Sequence, residues 1–353
     1  MTPPGTRLDL LVGDAEIAEL LSDEAELAAM LWFESALAAA QADAGLVPSE
    51  AAGAIAEVCR TFVPVKDQLA AGMIRDGLVV PALVATLRAS LAEPHRKWLH
   101  FGATSQDVID TALVVRLKTI STELDKRIEA LLAAFQRLQA GEGSVRLMAQ
   151  TRMQQALPFT ASDKIEAWTS PLLRHRMRLA ELSPRLMTLQ FGGPIGVRGG
   201  LDGKGNEIAR NLANRLGLSP GPVWHSARDA IAEFAGWLAL VTGSLGKIGQ
   251  DLALMVQNEI GAVKLAGGGT SSAMPHKSNP VMAEILVAQA RFNAGILGTL
   301  HQSLVHENER SGAAWTLEWM VLPQMAITTG AALRHANALI GGLHFVGKRQ
   351  GIE

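Results

Sequence analysis

Between Gly267 and Pro280 the chain reads GGGTSSAMPHKSNP, which gathers Ser271, Ser272, His276, Lys277 and Asn279 within nine residues. Two hydroxyls, a cation and an amide stand together just before a proline, and three glycines precede them that let backbone approach a ligand closely. Such a set can hold an anion or pass a proton, and a Gly/Ser-rich connector is the alternative that composition alone allows. The glycines form neither GxGxxG nor GxxxxGK[ST], and no strand is expected ahead of them, so the segment is not a phosphate loop of either kind. A second cluster, HFGATSQD, runs from His100 to Asp107. There Thr104 and Ser105 stand at the expected start of a helix, where unpaired N–H groups and hydroxyls can bind a carboxylate; taken alone, the stretch reads more simply as a capping loop. The third, AQTRMQQALP, spans Ala149–Pro158 and offers Arg152, Gln154 and Gln155 ahead of a helix expected from Pro158. A solvated face explains it equally well. The nine histidines form no HExxH pattern, and His95 with His100 reads as a satisfied surface pair, so no metal site is expected.

The elements that must position these clusters read as helical almost throughout, and the fold class expected is all-α. From Asp107 to Ala140, Leu117, Ile120, Leu124, Ile128, Leu131, Phe135 and Leu138 recur at steps of three and four, the apolar stripe of a bundle helix. Ser105 is its expected N-cap and Gly141 its expected stop. Further long segments are expected at about 158–189, 227–260, 280–306 and 316–343, giving a five-helix bundle. Pro171 and Pro184 should kink or interrupt the first of these. Shorter helices are expected at 23–44, 50–60, 65–75 and 81–91. The resulting division is an N-terminal helical domain, 1–105, and a long-helix domain, 106–353. A helix from Asp107 to Ala140 spans about 50 Å, whereas the nine residues that follow recover at most about 30 Å. If Thr104 and Thr151 serve one pocket, they are therefore expected to come from different subunits.

Composition narrows the class further. Net charge is -2, with 32 Lys plus Arg against 34 Asp plus Glu, so no general field exists to hold nucleic acid or an anionic membrane. A single cysteine, Cys59, excludes an intramolecular disulfide, and the N-terminus lacks the basic start and apolar run of a signal peptide, which favours the cytoplasm. Uncharged runs such as Trp319 to Leu333 fall short of the roughly 20 residues of a spanning helix, so no membrane partner is expected.

SSAMPHKSNP resembles the signature loop of the fumarase/aspartase superfamily, GATSQD its first shared region and TRMQQALP its second. The likeness extends to the N-terminal LSDEAELAAMLWFESALAAAQADAGLVP, to WHSARD (Trp224–Asp229) and to HENERSGAAWTLEW (His306–Trp319), and so covers nearly the whole chain. NERSGAAWTLEW and TSQDVIDTA resemble the muconate cycloisomerase branch. Two features depart from the superfamily pattern. Arg152 stands where many of its lyases carry a histidine after the threonine, which suits a substrate with an extra carboxylate, because a guanidinium offers that group a planar fork. Glu353 also follows soon after the last expected bundle helix, so the small C-terminal helical domain usual in relatives is expected to be missing.

The resemblance implies a homotetramer with a small polycarboxylate substrate, sites built by three subunits, and no cofactor or metal. It implies cycloisomerisation of 3-carboxy-cis,cis-muconate, with a 3-sulfo analogue or a fumarate-eliminating lyase reaction as the alternatives. Its implied catalytic residues are Ser271, which handles the carbon-bound proton, with Lys277 and Arg152. Thr104, Ser105, Thr151, Gln154, Gln155, Ser272, Met274 and Asn279 are implied to bind substrate. His306 and Arg310 join them, although an Arg in NER is often a structural ion-pair partner. Trp315 and Trp319, four apart, read as a core stripe rather than a substrate wall.

Overall fold

The computed structural model describes residues 6–270, 274 and 278–347. Two short helices, α1 (Arg7–Val12) and α2 (Ala15–Glu19), lead into α3 (Asp23–Asp43), α4 (Ser49–Thr61), α5 (Lys66–Asp76), α6 (Val80–Ala89) and the single turn α7 (Glu93–Arg96). The bundle is then made by α8 (Ser105–Glu142), α9 (Ala161–Leu186), α11 (Asp229–Met255), α12 (Val281–Gln302) and α13 (Gly312–Gly341), with α10 (Gly205–Leu216) set off between the second and third. Five long helices and an all-α class are as expected. Three two-stranded ladders add a little β structure: β1 (Arg146–Thr151) with β2 (Gln154–Thr160), β3 (Val263–Leu265) with β6 (Leu343–Phe345), and β4 (Gly269–Thr270) with β5 (Ser278–Asn279).

The stripe on α8 sits where its periodicity puts it, with Leu117, Ile120, Leu124, Ile128, Leu131 and Phe135 all fully buried in the bundle core. A second core joins α3, α4 and α6 to α10 and to Val108, Ile109, Ala112 and Val114 in the first turns of α8. The start of α8 is thus gripped from both sides.

The structure corrects four details. Thr104, not Ser105, caps α8, and the helix runs through Gly141 to a cap at Gly143. The AQTRMQQALP stretch is not the approach to a helix at Pro158: it is the β1–β2 hairpin, with Pro158 paired to Met148 and the helix capped by Thr160. Its turn residues, Arg152 (φ 49°) and Met153 (φ 67°), both take the left-handed region that a tight two-residue hairpin demands. Finally, α9 is not interrupted at Pro171 or Pro184 but runs through both; the buried side chains of Ile165, Trp168 and Leu172 around Pro171 offset the loss of one N–H. α11 is apolar enough by length and composition to cross a membrane, yet 61% of its most apolar window is buried, as befits a core helix.

Connections fix the polarity of the bundle. Near the start of α8, Thr111 bonds Gln190 beyond α9 and Asp110 meets Arg228 at the head of α11; Gln106 there meets Arg310 ahead of α13. At the other end Glu142 accepts from the Phe345 amide after α13, Trp168 stacks on Phe345, and Trp168 Nε1 donates to Asp251 late in α11. With 38 residues, α8 separates these ends by about 57 Å.

Candidate active site

At the N-terminus of α8 the first-turn N–H groups have no intrahelical acceptors, so the turn is an anion site in embryo. What surrounds it is a buried polar network. Asp107, fully buried at the third position of the helix, accepts from the Thr104 amide at 3.0 Å and from the Gly192 and Gly193 amides at 2.8 Å each. His225 Nε2 donates to the same carboxylate at 2.8 Å. Because a carboxylate only accepts, that nitrogen carries the proton. The His225 carbonyl accepts from Gln106 Nε2 at 2.8 Å, and Gln106 Oε1 in turn accepts from Arg310 Nε at 2.8 Å. One turn deeper, Asp110 and Glu318 clamp the buried guanidinium of Arg228, which also stacks on Trp224 at 4.6 Å. Burial lowers the basicity of Arg228, but the two carboxylates raise it by more. Burial pushes the Glu318 carboxyl above its ordinary range, against the pull of Arg228. Trp315 Nε1 donates to Asp110 at 3.0 Å; Trp315 is buried in the core, and Trp319, half-buried, packs against it at the core's edge.

The three stretches GATSQD, WHSARD and HENERSGAAWTLEW therefore converge on one end of the bundle. Thr104 and Ser105 are half-buried at its mouth, and Arg310 is exposed beside them. Arg310 forms no ion pair among the described residues; its partners are the Gln106 amide oxygen and, at 3.4 Å, the Pro194 carbonyl. His306 lies close by, and neither ring nitrogen makes a hydrogen bond to a described residue. Burial and then Arg228 hold its pKa below the ordinary histidine value, so its ring is neutral near pH 7.

His100 corrects the expected surface pair with His95. Its backbone takes φ 60°, and its Nδ1 meets Glu34 at 2.6 Å in the interior, while His95 faces Glu50. Burial lowers its pKa, and Glu34 raises it by more, to above the ordinary histidine value. Gly102, at φ 70°, turns the chain from there toward the helix start, and a Cβ on it would meet Leu201 at 2.4 Å.

The remaining expected residues that the structure describes lie at the other end. Thr151, Arg152, Gln154 and Gln155 are exposed along the β1–β2 hairpin, and Met153 at its tip is 75% exposed. The same end holds β4–β5, where Gly269 pairs with Asn279 and Thr270 with Ser278, beyond β3 and its partner β6. Met274 is exposed and Asn279 half-buried. Ser271, Ser272, His276 and Lys277 lie outside the described residues. The glycines ahead of them are built in rather than slack: Gly267 takes φ 72°, and a Cβ on Gly268 would meet Ser278 Oγ at 1.8 Å. Cavities of about 640 Å³, beside Trp32 and Lys118, and about 220 Å³, beside Met73 and Trp319, contain none of the residues expected to bind substrate. Within one chain, the described residues of the expected site thus fall into two groups, one at each end. Sequence reading gave no role to Gln106, Asp107, Asp110, His225, Arg228 or Glu318.

Long antiparallel helices with polar clusters at opposite ends define a class of helical-bundle enzymes, and comparison with known proteins agrees. A family model described as Lyase matches residues 14–293, and the chain belongs to this family, within the fumarase/aspartase superfamily. It is 38% identical to 3-carboxy-cis,cis-muconate cycloisomerase of Pseudomonas aeruginosa, over 98% of this chain and 77% of that protein. Among solved structures, the 3-carboxy-cis,cis-muconate lactonizing enzyme from Pseudomonas putida superposes with a TM-score of 0.89 at 36% identity, covering 96% of this chain and 77% of that one. A fumarate lyase from Mesorhizobium sp. BNC1 gives 0.88 at 34% identity, covering 95% and 76%.

Proposed function

We propose that this protein converts 3-carboxy-cis,cis-muconate to a carboxymuconolactone, a step in the breakdown of aromatic compounds. The observation that carries the reading is the 38% identity, across 98% of the chain, to a relative named for that reaction. One substrate carboxylate adds through oxygen to an alkene carbon, and a proton is delivered to the neighbouring carbon; the one proton taken up comes from solvent through the general acid, and no other co-reactant is needed. The nucleophile is part of the substrate, so the protein has to fold it into its reactive shape, stabilise charge and supply the proton.

In this reading Thr104, Ser105 and Arg310 hold substrate carboxylates, with His306 beside them. Thr151, Arg152, Gln154 and Gln155 take another carboxylate from a second chain. Ser271 protonates carbon, and Lys277 and Asn279, with Ser272 and Met274 alongside, steady the developing charge. The separation of about 57 Å along α8 supports a site shared between chains, and we assign a homotetramer working in the cytoplasm on a small polycarboxylate. A fumarate-eliminating lyase is the second reading, favoured by the likeness to the Mesorhizobium protein and disfavoured by Arg152. Incubating the purified protein with 3-carboxy-cis,cis-muconate should bleach the diene absorbance at a kcat of about 1–10³ s⁻¹. Turnover of adenylosuccinate or argininosuccinate, with the muconate untouched, overturns the assignment.

A further inference from the structure

We propose that His225 is a positioning residue that sets the Arg310 guanidinium and the α8 N-terminus against each other, so that both grip one substrate. The inference rests on the reading above, in which these two groups bind substrate carboxylates. His225 touches neither group directly. Its ring donates to Asp107, whose carboxylate also collects the Thr104, Gly192 and Gly193 amides, and its backbone carbonyl accepts from Gln106, which holds Arg310 through the other end of its amide. Two chains of hydrogen bonds therefore meet on a single buried residue, one ending at the helix cap and the other at an exposed cation. The imidazole has little room to shift. A Cβ on Gly192 would stand 3.0 Å from its Cε1 and one on Gly196 3.5 Å from its Nδ1, so two glycines lie flat against the ring. Asp107, Gln106 and His225 are all buried, and fixed partners of this kind give a bound geometry that exposed side chains cannot hold by themselves.

A misplacement of about 1 Å at a binding group costs up to about 100-fold in kcat/KM, and here it would fall on both carboxylate anchors. His225→Ala should raise KM about 10- to 100-fold while kcat stays within about threefold. His225→Gln, which keeps an N–H donor near the same point, should recover most of the loss. Gln106→Leu cuts only the arm to Arg310 and should raise KM in the same sense, which keeps the test sharp if His225→Ala folds poorly. Leu117→Ala, a core truncation farther along α8, should lower the melting temperature without moving KM. KM values for His225→Ala and Gln106→Leu within about twofold of wild type, or an equal rise in Leu117→Ala, overturn the proposal. The ratios are taken on whichever substrate the wild type converts, muconate or a fumarate-releasing one. A wrong reading of function then shows in the wild type, and a wrong role for His225 only in the variants.

Discussion

Arg228→Met should cost about 3–5 kcal/mol of stability, the usual effect of removing one partner from a buried ion pair. The guanidinium is buried, as are the two carboxylates it bridges, Asp110 and Glu318. Methionine fills much of the volume, so packing loss is small and the cost comes from stranded charge. Two carboxylates would remain with no cation inside their shell, except that Trp315 still donates to Asp110. Burial already pushes the Glu318 carboxyl above its ordinary range, so adding Glu318→Gln to Arg228→Met should recover part of the loss. Denaturant midpoints of the three proteins measure this. A single variant within about 1 kcal/mol of wild type, or a double variant no more stable than the single, contradicts the electrostatic account.

The second large effect is on turnover. Ser271→Ala should lower kcat about 10²- to 10⁴-fold, the range that general acid–base groups supply, with KM nearly unchanged, because proton delivery is felt only in the transition state. The variant should keep its assembly and its melting temperature. Serine is a weak acid, so the prediction depends on neighbours that stabilise the alkoxide, and Lys277 and Asn279 fill that role in the proposed mechanism. The β4–β5 ladder, from Gly269–Asn279 to Thr270–Ser278, brings the two ends of this segment together. Full activity in Ser271→Ala would remove the residue from the mechanism.

Periodicity made the bundle legible. Six of the seven stripe positions on α8 are fully buried and the last, Leu138, is half-buried against the same core, because a long helix declares its buried face through every turn. The hairpin at Arg146–Thr160 was not legible. Its strands are short, and the two turn positions with positive φ carry Arg152 and Met153 where Asn-Gly would announce the turn. Pro158 also invites a helix start there, although in the structure it pairs in a strand.

The candidate site divides in the same way. Thr104, Ser105 and Arg310 were found because they lie in recognisable motifs, and the structure brings them to one end. Their support was missed: Asp107 and His225 are 118 positions apart, as are Asp110 and Arg228, so no local pattern links them. A faint signal existed in Asp107 and Asp110, three apart on a helical face otherwise meant for the core, and in Glu318 set within the apolar stretch WTLEWMVLP. A charge on a buried face needs a partner, and WHSARD held it.

The central claim is that one active site combines residues from opposite ends of separate chains. It is tested most directly by mixing two inactive proteins, Ser271→Ala and Arg310→Met, under conditions that let subunits exchange. Each alone lacks a different half of the site. Hybrids contain sites in which the intact Ser271 loop of one chain meets the intact Arg310 of another, so activity toward 3-carboxy-cis,cis-muconate should return where neither parent shows it. Hybrids that demonstrably form, by co-purification of two different tags, and yet stay inactive would contradict a site shared between chains.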